Sequence, residues 1–329
     1  MPEWSDFARF HFMMNKENIM SEDTKIAFVA GRASHGSGAH EHPGGCQFLA
    51  DMINRHVEGV EAKVHLSWPT DKTAFDDISA LAIYSDGGQG HPILPHLEQV
   101  SDLAKRGTGL VMMHYAIEVP KGDAGDHFVT WVGGYFETHY SVNPHWIAEF
   151  TDYPNHPIAH GLKPFEMDDE WYYHMRFSDD MRGVTPILSS IAPESTLTRP
   201  DGPHSGNPHV RSSVAKGEAQ HLGWCIERPD GGRGVGFTGG HYHKNWGHEQ
   251  MRKFMLNSIL WAAKVDIPVE GIETPEPTFG MIQKLEKEVR MLEKSIDDVR
   301  ETVIWVWHHE RNPNVKNQLF TQFLQHLKK

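Results

Sequence analysis

The sequence predicts an α/β fold built on a parallel sheet with helices on both faces. Short, wholly apolar runs recur along the first third of the chain, and segments of helical periodicity lie among them. Apolar runs of this kind are typical of strands that are covered on both faces by crossover helices. The fold class also predicts where a site lies, because ligands of such sheets bind beyond the carboxyl ends of the strands.

The predicted elements follow one another in the order expected of βαβ units. The strands are Lys25–Ala30, Ala62–Leu66, Ala80–Tyr84 and Gly109–Met113, and the helices are Cys46–His56 and Ile93–Arg106, with Gly107 as a C-cap. Later in the chain, Gln220–Glu227 and Gly234–Thr238 flank a PDGG turn that is typical of a hairpin. The apolar periodicity of Gln250–Lys264 predicts a closing helix.

The remaining segments set the domain organisation. The region 129–220 is irregular and rich in proline, glycine, histidine and aromatic residues, which predicts an elaboration that covers the site. A proline-bearing linker and a change of hydrophobic period follow the closing helix. We therefore expect an N-terminal extension (1–24), one α/β domain (25–266), a linker (267–277) and a C-terminal helical extension (278–329).

The C-terminal extension carries a heptad pattern. Its apolar residues alternate at spacings of three and four: Ile282, Leu285, Val289, Leu292, Ile296, Val299 and Val303. This a/d seam predicts association between subunits through residues 282–303, so a homo-oligomer is expected. The alternative is a helix laid back on its own domain. A second helix at Val315–Leu327 is expected to fold against the first.

Composition excludes several classes of partner. The net charge of −13 argues against nucleic-acid binding and against attraction to an anionic membrane surface. Cys46 and Cys225 are far apart, which excludes a cysteine-based zinc cluster and disfavours a disulfide framework. The N-terminus lacks the apolar core of a signal peptide, and no apolar run approaches the ~20 residues of a membrane span. A cytoplasmic protein with a small-molecule substrate is the expectation.

Histidine is the compositional outlier, with 24 in 329 residues. The simplest explanation is a drift in composition that leaves most of these histidines on the surface. They are concentrated, however, in segments that also carry glycine, tyrosine and acidic residues, and that follow predicted strands. Because imidazole is a common ligand of transition metals, these segments together predict a pocket with a divalent metal (zinc, manganese, iron or nickel).

Two histidine segments follow strands of the predicted sheet. The loop SHGSGAHEH, after the first strand, offers His35, His40 and Glu41, and its glycines let the backbone approach a ligand closely. It lacks the GKS/GKT ending and the GxGxxG spacing of phosphate loops. The segment LVMMHYAIE places His114 where a sharp strand-to-helix turn would present a nucleophile. Because this residue is histidine, a base or a metal ligand is favoured over acyl transfer, with a packed structural histidine as the alternative.

Three later segments add candidates. GGYFETHYSVNPHW supplies His139 as a possible contact to a ligand, and DDEWYYHMRF places Glu170 beside tyrosines, which suits an acid or base. A solvated acidic turn is the alternative for Glu170. GVGFTGGHYHKNW brings His241 and His243 beyond a glycine-rich strand, with Trp246 placed to stack on a sugar.

These segments resemble, in order and spacing, the trehalose-utilisation (ThuA-like) family over roughly Lys25 to Lys264. The resemblance implies a flavodoxin-like or class I glutamine-amidotransferase-like fold and a role in the breakdown of disaccharides or 3-keto-glycosides, with a bound divalent metal as a further possibility. The amidotransferase cysteine would fall at His114, so glutaminase activity is not implied. The heptad extension lies outside the resemblance.

The leading hypothesis is a metal-assisted enzyme that acts on a disaccharide or 3-keto-glycoside by hydrolysis, β-elimination or isomerisation. His35, His114 and His241 would hold the metal, which would polarise a sugar oxygen. The expected proton-transfer residues are Glu170, Tyr172, His243 and Glu118, and the expected substrate contacts are His40, Glu41, Gly88, Tyr115, His139 and Trp246. The alternatives are a non-catalytic sugar-binding or regulatory protein that uses the same pocket, and a metal-free hydrolase with a histidine–carboxylate pair.

Overall fold

The structure is a computed structural model. It describes residues 23–278 and, in the C-terminal extension, residues 282, 287, 290, 291, 294, 295, 297, 300 and 301. The predicted helix at Val315–Leu327 and residues 1–22 lie outside the described residues. Within the part that is described, no helix combines the length and the apolar character needed to cross a membrane.

Sixteen regular elements are used below, numbered in chain order. The strands are β1 (Thr24–Ala30), β2 (Val60–His65), β3 (Ile78–Tyr84), β4 (Gly109–Met113), β5 (Gly134–Tyr135), β6 (His145–Phe150), β7 (Phe165–Glu170), β8 (Arg176–Phe177), β9 (Val184–Ile191), β10 (Ala219–Glu227) and β11 (Arg233–Phe237). The helices are α1 (His42–His56), α2 (Leu97–Lys105), α3 (Asp123–Val132), α4 (Pro208–Ala215) and α5 (Glu249–Ala262). Short 3-10 turns follow several strands, including one at His114–Ile117 directly after β4.

A seven-stranded sheet in the order β2-β1-β3-β4-β11-β10-β9 forms the centre. The first five strands are parallel, and their spatial order matches that of flavodoxin-like folds. The chain order reverses between β1 and β3, and in such sheets the ligand crevice lies at this reversal, beyond the carboxyl ends of the strands. The predicted α/β class is confirmed, with the correction that β10 and β9 extend the parallel part as antiparallel strands.

Helices cover both faces of the sheet because successive side chains of each buried strand point to opposite sides. Along β1, Ile26 and Phe28 join the core under α1 and α5, whereas Ala27 and Val29 join the core under α2 and α3. The predicted strands before residue 114 begin within two residues of the observed ones, and the predicted hairpin is present as β10 and β11. The closing helix is α5.

The region 129–220 contains more regular structure than its composition suggests. Two small antiparallel sheets, β5 with β8 and β6 with β7, lie in it, and β9 joins the edge of the central sheet. β9 was not predicted because Pro186 and two serines interrupt its apolar character. An edge strand tolerates proline, since a backbone N–H on the outer side needs no partner strand.

The described residues of the C-terminal extension contact the α/β domain. Their backbone is helical, and Ile282 is buried, with its carbonyl accepting a hydrogen bond from Nε2 of His243 at 3.2 Å. Arg290 donates to both carboxylate oxygens of Glu41, from Nε at 2.8 and 2.9 Å, and Asp297 pairs with Arg32. These contacts favour the alternative of a helix laid on its own domain. The other heptad positions lie outside the described residues, so subunit association stays a prediction.

Candidate metal centre

Four side chains from separate elements meet at the carboxyl edge of the sheet. His40 lies in the loop after β1, His114 directly follows β4, His241 follows β11, and Glu170 ends β7. All four are at least nine-tenths buried, with relative exposures of 1, 0, 8 and 8%. Their nearest ligand atoms all lie within 4.8 Å of one another. The fold therefore brings three imidazoles and one carboxylate to a single point, which we call the histidine cluster.

The spacing within the histidine cluster suits a shared ion. Nε2 of His40 lies 3.1 Å from Nε2 of His114 and 3.0 Å from Nδ1 of His241. Oε2 of Glu170 lies 3.0 Å from Nδ1 of His241, 3.5 Å from Nε2 of His114 and 3.9 Å from Nε2 of His40. Ligand atoms at ~2.0–2.1 Å from a tetrahedral zinc ion are about 3.3 Å apart. The observed separations fall around this value.

The protonation of the imidazoles gives a second, independent indication. Nδ1 of His114 lies 2.9 Å from the carbonyl oxygen of Thr238, and Nδ1 of His40 lies 3.3 Å from a carboxylate oxygen of Asp86. Both oxygens only accept, so both Nδ1 atoms carry the proton and both Nε2 atoms present a lone pair in the neutral ring. Two lone pairs that face each other at 3.1 Å repel unless a metal ion or a proton lies between them. The donor set therefore fits a divalent metal.

The backbone is strained where two of the ligands lie. His40 has φ 48° and His114 has φ 54°, in the left-handed region that side chains other than glycine rarely adopt. At His114 this conformation forms the sharp turn between β4 and the following 3-10 turn, so the ring points over the sheet edge. Such strain costs of order 1–3 kcal/mol and persists where the surrounding structure and a function require it.

Asp169 holds the loop of His241 against the end of β7. It is fully buried, and its Oδ1 accepts from the backbone N–H groups of His241 and Glu170 at 2.9 and 2.8 Å. Its Oδ2 accepts from the N–H of Gly240 and the side-chain amide of Asn245, at 3.0 and 2.9 Å. One carboxylate thus fixes the positions of two members of the histidine cluster.

The pKa shifts within the histidine cluster favour an ionised Glu170 and do not favour a positive charge on every imidazole. Burial on its own would raise the pKa of Glu170, but hydrogen bonding to His114, His241 and His40 outweighs burial and lowers it. Burial lowers the pKa of His114. Burial also opposes the charged form of His40, but hydrogen bonds to Asp86 and Glu170 outweigh it and raise its pKa. A proton on His40 is thus the natural substitute for a metal ion.

The structure places two of the expected residues differently within the site. His35, expected as a metal ligand, is exposed and lies at the rim, with its ring centroid 3.9 Å from that of His40 and its Nδ1 3.1 Å from Oγ of Ser34. It lies outside the histidine cluster but forms, with His40 and Asp86, a second group of possible ligand atoms within 4.8 Å of one another. His40, expected as a substrate contact, occupies the ligand position. Glu170, expected as an acid or base, lies among the donor atoms. His114 and His241 lie where they were expected.

Several other candidates surround the histidine cluster. The hydroxyl of Tyr172 is 3.3 Å from Nε2 of His114, and burial raises its pKa well above the usual range, so it stays a hydrogen-bond donor. The ring of Tyr115 lies 5.8 Å from that of His40. Glu118 is buried, and its carbonyl accepts from the N–H of Gly88 at 2.9 Å. Tyr172 and Tyr115 thus lie beside the histidine cluster, and Gly88 and Glu118 lie next to Tyr115.

The remaining candidates have other contacts. Trp246 is fully buried and packs edge-on to Tyr84, so its faces are not available to a sugar. His243 is directed to the carbonyl of Ile282, and Glu41 pairs with Arg290. His139 is exposed, and its backbone N–H donates to Pro203 at 2.7 Å. The structure gives Trp246 a packing role and ties His243 and Glu41 to the C-terminal extension.

Sequence reasoning missed three polar residues of this site. Asp86 directly follows β3 in the segment SDGG, so the rule that ligands bind at strand ends could have found it. Asp169 adjoins the predicted Glu170 but was not assigned a role. His204, which bonds Glu118 at 2.9 Å, comes from the irregular region and carries no local signal.

Comparison with known proteins decides the family. The sequence model for trehalose utilisation (ThuA) matches residues 28–262, more than half of the 329-residue chain. The protein belongs to the ThuA family. The resemblance drawn from the histidine segments is thereby confirmed, and the ThuA match covers every member of the histidine cluster. No curated protein matches the sequence.

Comparison with solved structures concerns the fold. A ThuA-like protein from Bacteroides uniformis ATCC 8492 has a TM-score of 0.52 and 14% identity, covering 76% of this chain and 95% of its own. A ThuA-like protein from Parabacteroides merdae ATCC 43184 has a TM-score of 0.49 and 12% identity, covering 77% of this chain and 93% of its own. At 14% identity, the similarity to the Bacteroides uniformis structure shows a shared fold and nothing about function.

Proposed function

We propose that this ThuA-family protein is a metal-assisted enzyme that acts on a 3-keto-glycoside or related disaccharide. Family membership implies a sugar-related role in trehalose utilisation. The observation that carries the rest is the approach of the Nε2 atoms of His40 and His114 to 3.1 Å beside the buried carboxylate of Glu170. A cytoplasmic location stays a prediction.

The chain's own residues would divide the work. His40, His114, His241 and Glu170 would hold the ion, which when bound would act as a Lewis acid on a sugar carbonyl or hydroxyl oxygen. Asp86, Asp169 and the carbonyl of Thr238 orient the ligands, and outer contacts of this kind commonly tune metal sites. Because Glu170 lies within the donor set, we now assign it to ion binding and not to proton transfer.

The hydroxyl of Tyr172 supplies a donor at the same point. Its raised pKa keeps the proton on the hydroxyl at neutral pH, so it can hydrogen-bond a substrate oxygen beside His114. A carbonyl at C3 of a sugar acidifies the C2 proton, so β-elimination and isomerisation share one first step: removal of that proton. Either reaction therefore needs a group that polarises the C3 carbonyl oxygen and a base near the C2 proton.

Turnover of a 3-keto-glycoside by metal-loaded and chelator-treated protein tests the proposal. We expect turnover that is lost on chelation and restored by one divalent ion per chain, and His40→Ala to abolish both binding and turnover. His127→Ala is the matched control, because His127 lies on α3 and pairs with Asp123. Metal binding without turnover of keto-sugars or plain disaccharides would favour the sugar-binding or regulatory alternative, and absence of metal binding would exclude the proposal.

A further inference from the structure

Glu118 and His204 form a hydrogen-bonded pair outside the histidine cluster. Nε2 of His204 lies 2.9 and 3.2 Å from the two carboxylate oxygens of Glu118, and the hydroxyl of Thr138 donates to the same carboxylate at 3.3 Å. Glu118 is 4% exposed, whereas the side chain of His204 is 37% exposed. A buried carboxylate therefore orients an imidazole whose ring is open to solvent or to a ligand.

This pair adjoins the histidine cluster through Asn143. The backbone N–H of Asn143 donates to the carbonyl of His204 at 3.1 Å, and its side-chain amide donates to Oε1 of Glu170 at 3.1 Å. Arg199 fixes this link by donating to the side-chain oxygen of Asn143 at 2.8 Å and to the carbonyl of His204 at 3.0 Å. Asn143 thus connects the backbone of His204 to the carboxylate of Glu170 by hydrogen bonds.

Aromatic rings make a second connection. The ring of Phe136 stacks on that of His204, with centroids 5.3 Å apart, and meets the ring of Tyr172 at 5.3 Å. The ring of Tyr172 in turn lies 4.6 Å from that of His114. Two stacked or edge-on rings, those of Phe136 and Tyr172, thus connect His204 to His114, and the charge of Glu170 acts on His204.

The hydrogen bond to Glu118 decides which nitrogen can transfer a proton. A carboxylate only accepts, so Nε2 of His204 carries the hydrogen and Nδ1 is the nitrogen that gains or loses a proton. The bond to Glu118 raises the pKa of His204. Of the charged groups that face it, Glu118 and Glu170 favour the protonated ring, and Arg199 opposes it. An imidazole that titrates above its usual value can act in both directions near neutral pH.

We propose that His204 is the base of the reaction and that Glu118 positions it, an inference that rests on the function proposed above. Nδ1 of His204 takes the proton from the carbon next to the sugar carbonyl. The C–H electron pair then forms the carbon–carbon double bond of an enolate. In β-elimination the enolate restores the C3 carbonyl, a double bond forms between C1 and C2, the C1–O bond breaks, and the same proton passes from Nδ1 to the leaving glycosidic oxygen. No further reactant is consumed.

The structure also contains a matched control for this proposal. His209 lies on α4, in the same region 129–220, where its Nε2 faces the carbonyl of Tyr140 at 3.2 Å and its ring stacks on that of Tyr140. The substitution His209→Gln therefore alters an imidazole of this region without altering the Glu118 pair. The substitution His204→Gln keeps an amide donor for Glu118 but removes the titrating nitrogen.

The experiment measures turnover of a 3-keto-glycoside and exchange of its C2 proton with deuterated solvent, with metal content determined in parallel. We expect His204→Gln to lose about 100-fold or more in both rates, as removal of a general base does, with metal content unchanged. His209→Gln should match the unaltered protein. Exchange and turnover within about threefold of the unaltered protein in His204→Gln would overturn the inference and leave the proposed function intact.

The positioning role of Glu118 has its own readout. Glu118→Gln should lower the pKa of His204, measured by NMR of the imidazole protons, and move the acidic limb of the rate profile to lower pH with a reduced maximum. An unchanged pKa would contradict the role assigned to Glu118. If the unaltered, metal-loaded protein neither exchanges nor turns over the keto-glycoside, the proposed function falls, and the inference falls with it.

Discussion

Two buried carboxylates of this protein are neutralised in different ways. Glu137 accepts from Nε and Nη2 of Arg176 at 2.9 and 3.1 Å, from Lys121 at 3.0 Å and from the hydroxyl of Tyr135 at 2.8 Å. Glu170 instead faces the three imidazoles of the histidine cluster and the amide of Asn143. Both pKa values are lowered, because in each case these partners outweigh the effect of burial.

The difference separates a structural ion pair from a site. Arginine and lysine stay charged at neutral pH, so the charge of Glu137 is balanced by the protein itself. Imidazole has an ordinary pKa near ~6.5, so the charge of Glu170 is balanced only when a proton or a metal joins the cluster. A carboxylate surrounded by imidazole lone pairs is therefore an indication of metal binding, whereas one surrounded by permanent cations is not.

The largest effect that this comparison predicts is on metal binding. Glu170→Gln should lower the affinity for a divalent ion by more than about 100-fold, since it removes the charged ligand and not only an outer contact. Glu137→Gln should leave the affinity unchanged. Titration calorimetry on both variants checks this, and an equal loss in the two would break the distinction between the two carboxylates.

Stability should respond in the opposite order. In the absence of metal, Glu137→Gln should lower the free energy of unfolding by roughly 1–3 kcal/mol, because two cations lose their acceptor while both keep some access to solvent. Denaturant unfolding measures the change. If Glu170→Gln destabilises the metal-free protein more than Glu137→Gln does, the assignment of the structural role to Glu137 is wrong.

The pH dependence of stability sharpens the same point. The folded-state pKa of Glu137 is lowered to about 2 from an ordinary value of 4.5, so its contribution is fully present above pH 4.5 and is lost as the pH falls towards 2. Glu137→Gln should therefore lose less stability than the unaltered protein between these values. An equal loss of unfolding free energy in the two proteins across that pH range would contradict this expectation.

The smallest effect concerns the C-terminal extension. Arg290 bonds Glu41, the neighbour of His40 in the chain, so Arg290→Met should loosen this loop and weaken metal binding by about 10-fold, as changes in outer contacts do. Lys287→Met is the control, because Lys287 is an exposed position of the same segment. Equal affinities of the two variants would show that the extension does not support the loop.

Much of the fold could be predicted from the sequence because its strands are marked by composition. The buried strands before residue 114 are continuous apolar runs, and a parallel sheet requires such runs. β9 could not be found in this way, since Pro186 is acceptable only because the strand lies at an edge, which is a property of the finished sheet. Pairing of distant segments, as in β6 with β7, also leaves little local trace.

The site was predictable where a strand end fixes the residue. His114 directly follows β4, and His241 comes shortly after the end of β11, so the pairing of these two strands brings them together. His35 and His40 share a glycine-containing loop and both have a positive φ, but only the backbone of His40 is tied to the site, by its N–H donating to the carbonyl of His241 at 3.0 Å. The spacing of residues in the sequence carries no information on this difference. The position of His204 depends on how the region 129–220 folds, so its place in the site could be found only from the three-dimensional structure.

X-ray absorption at the zinc edge, on protein loaded with one equivalent of zinc, would show whether the histidine cluster binds the ion. We expect one tightly bound ion per chain with three imidazole nitrogens and one carboxylate oxygen at ~2.0–2.2 Å, and loss of an imidazole from this shell in His114→Ala. A first shell without imidazole, or one that is unchanged in His114→Ala, would contradict it.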